Sequence, residues 1–257
     1  MCAMPRTRSG SDQLAAPEDL LVKATRAKTA LMRARYARRG LELVPDGQTD
    51  TTTKAMLLRQ LYLASMERKR FGEARTISTS MLKHAVLIDV AHQDAARACL
   101  GCDDLEGALN HLRMAARLGP ASRRAFHLSM LGALLYLNGR AQIAVPTLAI
   151  AARWSTTDKP ICRAQLALAM REAGMKDEAD WAQLRDALER SSHHRGYGEY
   201  LLGELSVVMG DDASAQGYFE AFVERTTHGR VALAVALKSE IGRATHYLEA
   251  HRRAERV

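Results

Sequence analysis

The chain has 257 residues, 47% of them apolar but only 5% aromatic, and a net charge of +8. Abundant alanine with so few aromatics excludes a typical β sandwich, whose strands favour aromatic and β-branched side chains. No window approaches the ~18 apolar residues of a membrane helix. The opening MCAMPRTRSGSDQ has no apolar core of a secretory signal, so a cytoplasmic protein is expected.

The charge is unevenly placed. Residues 1–40 hold nine Lys and Arg against three acidic side chains, a balance of +6, leaving about +2 to the other 217 residues. Residues 1–17 are small, polar and proline-flanked, and read as a disordered tail. A helix is expected from Glu18 to about Arg39, with Gly40 ending it. Its apolar stripe would be Leu20, Ala24, Ala27, Leu31, Ala34 and Leu41. Arg26, Lys28, Arg33, Arg35, Arg38 and Arg39 occupy much of the remaining circumference, and together with the loop 45–53 this helix forms an N-terminal unit, 18–53. Thr52 or Thr53 is a candidate N-cap for the next helix.

Residues 54–229 repeat. The stretch DLEGALNHLRMAARLGP, Asp104–Pro120, opens on an acidic turn suited to a helix N-terminus and closes on a Gly-Pro stop. Copies lie about 34 residues before it and about 35 after it, with two more beyond. Aligning Ala74, Ala108, Ala144, Ala179 and Ala215 gives intervals of 34, 36, 35 and 36. Twelve residues before each alanine stand Tyr62, Ala96, Gly132, Ala167 and Gly203, and one residue earlier Leu61, Ala95, Leu131, Leu166 and Leu202. Five residues before each alanine a turn is expected, at Lys69, Asp103, Gly139, Gly174 and Gly210. Small residues in phase with turns are what two closely approaching antiparallel helices need. A period in the mid-thirties predicts stacked helical hairpins in about five copies, with 230–257 a shortened sixth hairpin or capping helix.

This pattern resembles the tetratricopeptide repeat and Sel1-like arrays. Leu131-Gly132 and Leu202-Gly203 match the family's Leu-Gly pair, and Pro120 its closing proline. The family's early Trp is replaced by Leu58, His92, Leu128, Arg163 and Glu199. The resemblance implies an all-α fold, a right-handed solenoid of antiparallel hairpins. It also implies a concave groove lined by first helices that binds a partner's peptide segment or helix. Carried onto this chain, groove positions include Arg59, Arg97, Phe126, Tyr136, Tyr197 and Tyr200. Tyr and Arg are enriched at interface cores, although aromatics here would equally fill space between hairpins. The Lys and Asn pattern with which some members clamp a chaperone's C-terminal carboxylate is missing.

No catalytic motif of the nucleophile-elbow, phosphate-loop, dinucleotide-binding or HExxH type occurs, and no enzyme activity, metal or cofactor is expected. Cys99-Leu100-Gly101-Cys102 is a single CxxC with only His92 and His111 near in sequence, so core packing competes with a metal or redox role. His193-His194 falls in a polar linker, and Trp154 and Trp181 read as packing residues. The expected function is therefore a non-catalytic protein-interaction scaffold. The basic N-terminal helix has three readings: a cap, a dock for an acidic partner or anionic surface, or a nucleic-acid contact. The nearly neutral repeats argue against nucleic acid.

Overall fold

The structure is a computed structural model that describes residues 16–44, 51–175 and 179–254. The expectations for the tail 1–17 and the loop 45–53 therefore lie largely outside the described residues. Within them the fold is all-α, and no strand occurs. The helices are α1 (Pro17–Arg26), α2 (Ala30–Leu43), α3 (Thr51–Glu67), α4 (Phe71–Met81), α5 (Ile88–Gly101), α6 (Leu105–Leu118) and α7 (Ala121–Leu137). They continue as α8 (Ala141–Trp154), α9 (Lys159–Glu172), α10 (Trp181–Glu189), α11 (Tyr197–Met209), α12 (Asp212–Thr227), α13 (Val231–Ala236) and α14 (Lys238–Ala254). From α1 to α13 each helix packs on the next, with α14 set mainly against α12.

The hairpin turns repeat in atomic detail. Lys69, Asp103, Gly139, Gly174 and Gly210 all have positive φ, between 56° and 73°. After each, one N–H reaches back five residues to a helix carbonyl: Arg70 to Ser65, Asp104 to Cys99, Arg140 to Leu135, Met175 to Met170 and Asp211 to Ser206, at 2.9–3.0 Å. This left-handed cap satisfies carbonyls that a helix end would otherwise leave orphaned. Asp104, Asp180 and Asp211 then cap the following helices by accepting from Gly107, Gln183 and Ser214.

Small residues set the helix spacing. Ala74, Ala108, Ala144 and Ala215 are fully buried, while Ala179 lies half-buried ahead of α10. A Cβ built on Gly132 would lie 2.4 Å from Leu148, and one on Gly203 2.5 Å from Phe219. Any larger side chain there would push the paired helices apart.

The helices differ from expectation at the N-terminal unit, Gly40, Thr51 and Trp154. The N-terminal unit is two helices, because Ala27 is extended and Thr29 accepts from the Met32 N–H, starting α2 afresh. The stripe consequently changes phase, and Leu31 is exposed. Gly40 does not end a helix: α2 runs through it, and its missing side chain makes room for Leu57 of α3. Helix α3 begins at Thr51, so Thr52 and Thr53 lie inside it. Trp154 is exposed, with the Arg124 guanidinium 6.0 Å above its ring.

Lysine gains nothing from the left-handed turn that glycine adopts freely. Lys69→Gly should therefore stabilise the chain by up to about 1 kcal/mol, and Gly174→Ala should destabilise it by about 1 kcal/mol, in urea unfolding.

Candidate functional site

Side chains on successive hairpins meet at the sequence period. Arg59 and Asp94 are 35 residues apart and 3.0 Å apart in space. Arg123 clamps Asp89, 34 residues back, at 2.7 and 2.9 Å. Ser129 donates to Gln165, 36 residues on, at 2.6 Å. The same register extends to both ends, joining Arg38 to Glu73 and Tyr247 to Asp212 across 35 residues each. Burial alone would raise the Asp89 carboxyl, but the hydrogen bonds from Arg123 and His127 outweigh it and hold the group at about 2.

This ladder redistributes the residues expected in the groove. Arg59 and Arg97 both turn onto Asp94, whose side chain is fully buried: Arg59 ties α3 to α5, while Arg97 pairs with it along α5 itself. Tyr200 is not an accessible anchor. It is fully buried, with the rings of Phe219 and Phe222 centred 6.0 and 5.3 Å away. Tyr136 is buried too, its hydroxyl donating to Glu204 at 3.3 Å and its ring lying 5.3 Å beneath the Arg243 guanidinium. Phe126 and Tyr197 line a cavity, Phe126 with 43% exposure.

The chain's own C-terminal segment covers this face. In place of a sixth hairpin, α13 crosses to α3 and α5, and Ala232 and Val235 pack on the N-terminal core cluster. The cause is compositional: Val231–Leu237, VALAVAL, is apolar on every side and has no polar face to leave in water. Helix α14 is fastened behind it by Arg243, which pairs with Glu204 at 3.2 Å and Glu172 at 3.8 Å. Tyr247 adds a hydrogen bond to Asp212 at 2.8 Å and a ring contact with Phe219.

Between α13 and the first helices α5, α7, α9 and α11 lies a cavity of about 310 Å³. Leu100, Met130, Leu134, Ile161 and Leu237 make its apolar walls. Phe126 and Leu233, the latter 47% exposed, stand at its rim, as do Asp158 and His193, which pair at 3.3 Å. Arg97 and Arg225 also line it, but Asp94 holds the first and Glu199 the second, the latter at 2.9 and 3.0 Å. A polar relay runs along one wall. Ser129 donates to the Gln165 carbonyl, whose amide donates to the Tyr197 oxygen at 2.9 Å, leaving the phenol proton free to be donated.

Glu240 closes the inner end. It is 5% exposed, lines the cavity and makes no ion pair among the described residues. Burial pushes it up to about 8, outweighing the hydrogen bond from its own backbone N–H, and the neighbouring Glu204 carboxyl adds to the rise. Burial and Glu240 together hold the Tyr197 phenol well above its ordinary value. No motif marked Glu240. The unbroken apolar run just before it was the available sign that this segment must dock elsewhere.

Other singled-out residues assemble no second centre. Cys99 is buried and its thiol is raised, first by burial and then by Asp104; Cys102 is exposed. His92 and His111 meet through their Nδ1 atoms at 3.0 Å, and no group of three metal-ligating side chains occurs among the described residues. In the basic hairpin, Arg38 pairs with Glu73 and Arg39 with Glu42, and Arg33 is half-buried. Arg26, Lys28 and Arg35 are exposed, and Arg26 and Lys28 border a shallow cleft with the exposed Val22 and Met32.

A carboxyl whose folded value exceeds its unfolded one binds more protons folded, so stability declines as pH rises between the two. For Glu240 that window runs from 4.5 to about 8. Glu240→Gln removes the decline. Urea unfolding should show the variant's stability gaining on the parent's steadily from pH 5 to pH 8, with the gap constant above.

The sequence matches no protein-family model, and no curated protein matches it significantly.

Proposed function

We propose that the chain is a protein-interaction scaffold, a right-handed solenoid of tetratricopeptide-like hairpins that holds a partner's peptide segment or helix on its first-helix face. The observation that carries this reading is the convergence of first-helix residues from four successive hairpins, Arg97, Phe126, Ile161 and Tyr197 among them, around one apolar cavity. Its rim keeps Phe126 and Leu233 exposed, the kind of large apolar side chain that anchors a partner once buried. Docking of α13 supports the same reading, because that face already accommodates a short apolar helix.

The basic hairpin supports a second reading. Val22 and Met32 sit exposed beside Lys23, Arg26 and Lys28, an apolar strip in a cationic frame suited to an acidic partner or anionic surface.

Photo-crosslinking from position 126, followed by mass spectrometry, would identify the partner in native lysate. Against that purified partner, Phe126→Ala with Leu233→Ser should weaken binding by about 2 kcal/mol or more with helicity unchanged. Loss of binding on Arg26→Glu with Lys28→Glu instead, together with steep salt dependence, would assign function to the basic hairpin.

A further inference from the structure

We propose that the cavity beneath α13 is a binding site for a small amphiphilic amine, its primary ammonium paired with the Glu240 carboxylate and its apolar body lying against Leu100, Met130, Leu134 and Ile161. Two independent observations meet here: an apolar-walled cavity of about 310 Å³, and a carboxyl side chain with 5% exposure that faces it and has no cation partner. An unpaired buried carboxylate is costly, so the group is held neutral, and a ligand that brings the missing positive charge lets it ionise in place. A volume of this size admits an apolar body of about eight carbons, given roughly 30 Å³ per heavy atom.

The charges around Glu240 select the sign of the ligand. Helix α11 presents Glu204 and the Tyr197 phenol, α7 the Tyr136 phenol, and α9 the neutral Gln165. Arg243, on the same helix as Glu240, is engaged by Glu204 and Glu172, while Arg225 of α12 is engaged by Glu199. Helix α13 contributes only apolar side chains. An anionic ligand would meet the Glu240 carboxyl, with Glu204 close to it, and no unpaired arginine or lysine among the described residues that line the cavity. An ammonium meets Glu240 as its counter-ion without competition from a lysine of the chain, since none lines the cavity. Near neutral pH the burial-raised Glu240 carboxyl is largely protonated. Pairing then breaks its O–H bond and releases that proton to the buffer. The site requires α13 in place and is independent of whether a protein segment docks at the rim.

Isothermal titration of the full chain with n-octylamine, n-octanol and octanoate tests it, using two buffers of different ionisation enthalpy near neutral pH. The expected result is saturable one-to-one binding of octylamine, at least about tenfold tighter than octanol or octanoate, with up to about one proton released. Glu240→Gln, close in size and shape, should weaken octylamine about tenfold and abolish proton release. Ala236→Phe, which fills the cavity from α13, should abolish binding altogether. Equal affinity for octanol, unchanged binding by either variant, or no saturable octylamine binding would overturn the proposal.

Discussion

The closeness with which paired helices approach governs the rest of the molecule. At Gly132 and Gly203 the partner helix lies where a side chain would stand, and Leu148 or Phe219 fills the space. With that separation set, and each turn made by the same left-handed cap, successive first helices repeat their positions within a residue or two. Side chains 34 to 36 residues apart can then meet as Asp89 meets Arg123 and Ser129 meets Gln165. Overpacking at the glycines would spread the paired helices and disturb the contacts they make with adjoining hairpins.

The stacking ladder uses up much of the polarity on the first-helix face. Arg59, Arg97 and Arg225 each answer a carboxylate of the chain itself. What is left between α5, α7, α9 and α11 is largely apolar, and the apolar segment Val231–Leu237 is drawn across it. A six-residue helix has too few internal hydrogen bonds to persist in water. It forms here because part of its all-apolar surface lies against α3 and α5. The imperfect fit leaves the cavity, and the first turn of α14 then delivers Glu240 to its inner end.

How much of this was readable depended on how local the cause was. The turns at Lys69, Asp103, Gly139, Gly174 and Gly210 and the buried alanines follow from backbone rules acting within a few residues, and the repeat phase exposed them. The break at Ala27–Thr29 was also local, but the threonine cap was hidden inside a continuous apolar period. Gly40 is ambiguous in sequence, because a glycine that stops a helix and one that admits a neighbour look alike until the neighbour, Leu57, is placed. Tyr200 shares a helical face with Tyr197, and only the position of α12 decides that one is core and the other lines a cavity. The pairing of Arg59 with Asp94, the return of α13 and the isolation of Glu240 are long-range outcomes without a motif.

Everything ascribed to the cavity rests on α13 being docked against α3 and α5. Amide hydrogen exchange followed residue by residue reads that docking directly. Docking predicts slow exchange at the Leu237 N–H, bonded to the Leu233 carbonyl at 3.0 Å, to a degree that an isolated six-residue helix would not show. Exchange across Val231–Leu237 at the rate of an unstructured peptide, while α5 and α11 stay protected, would contradict it.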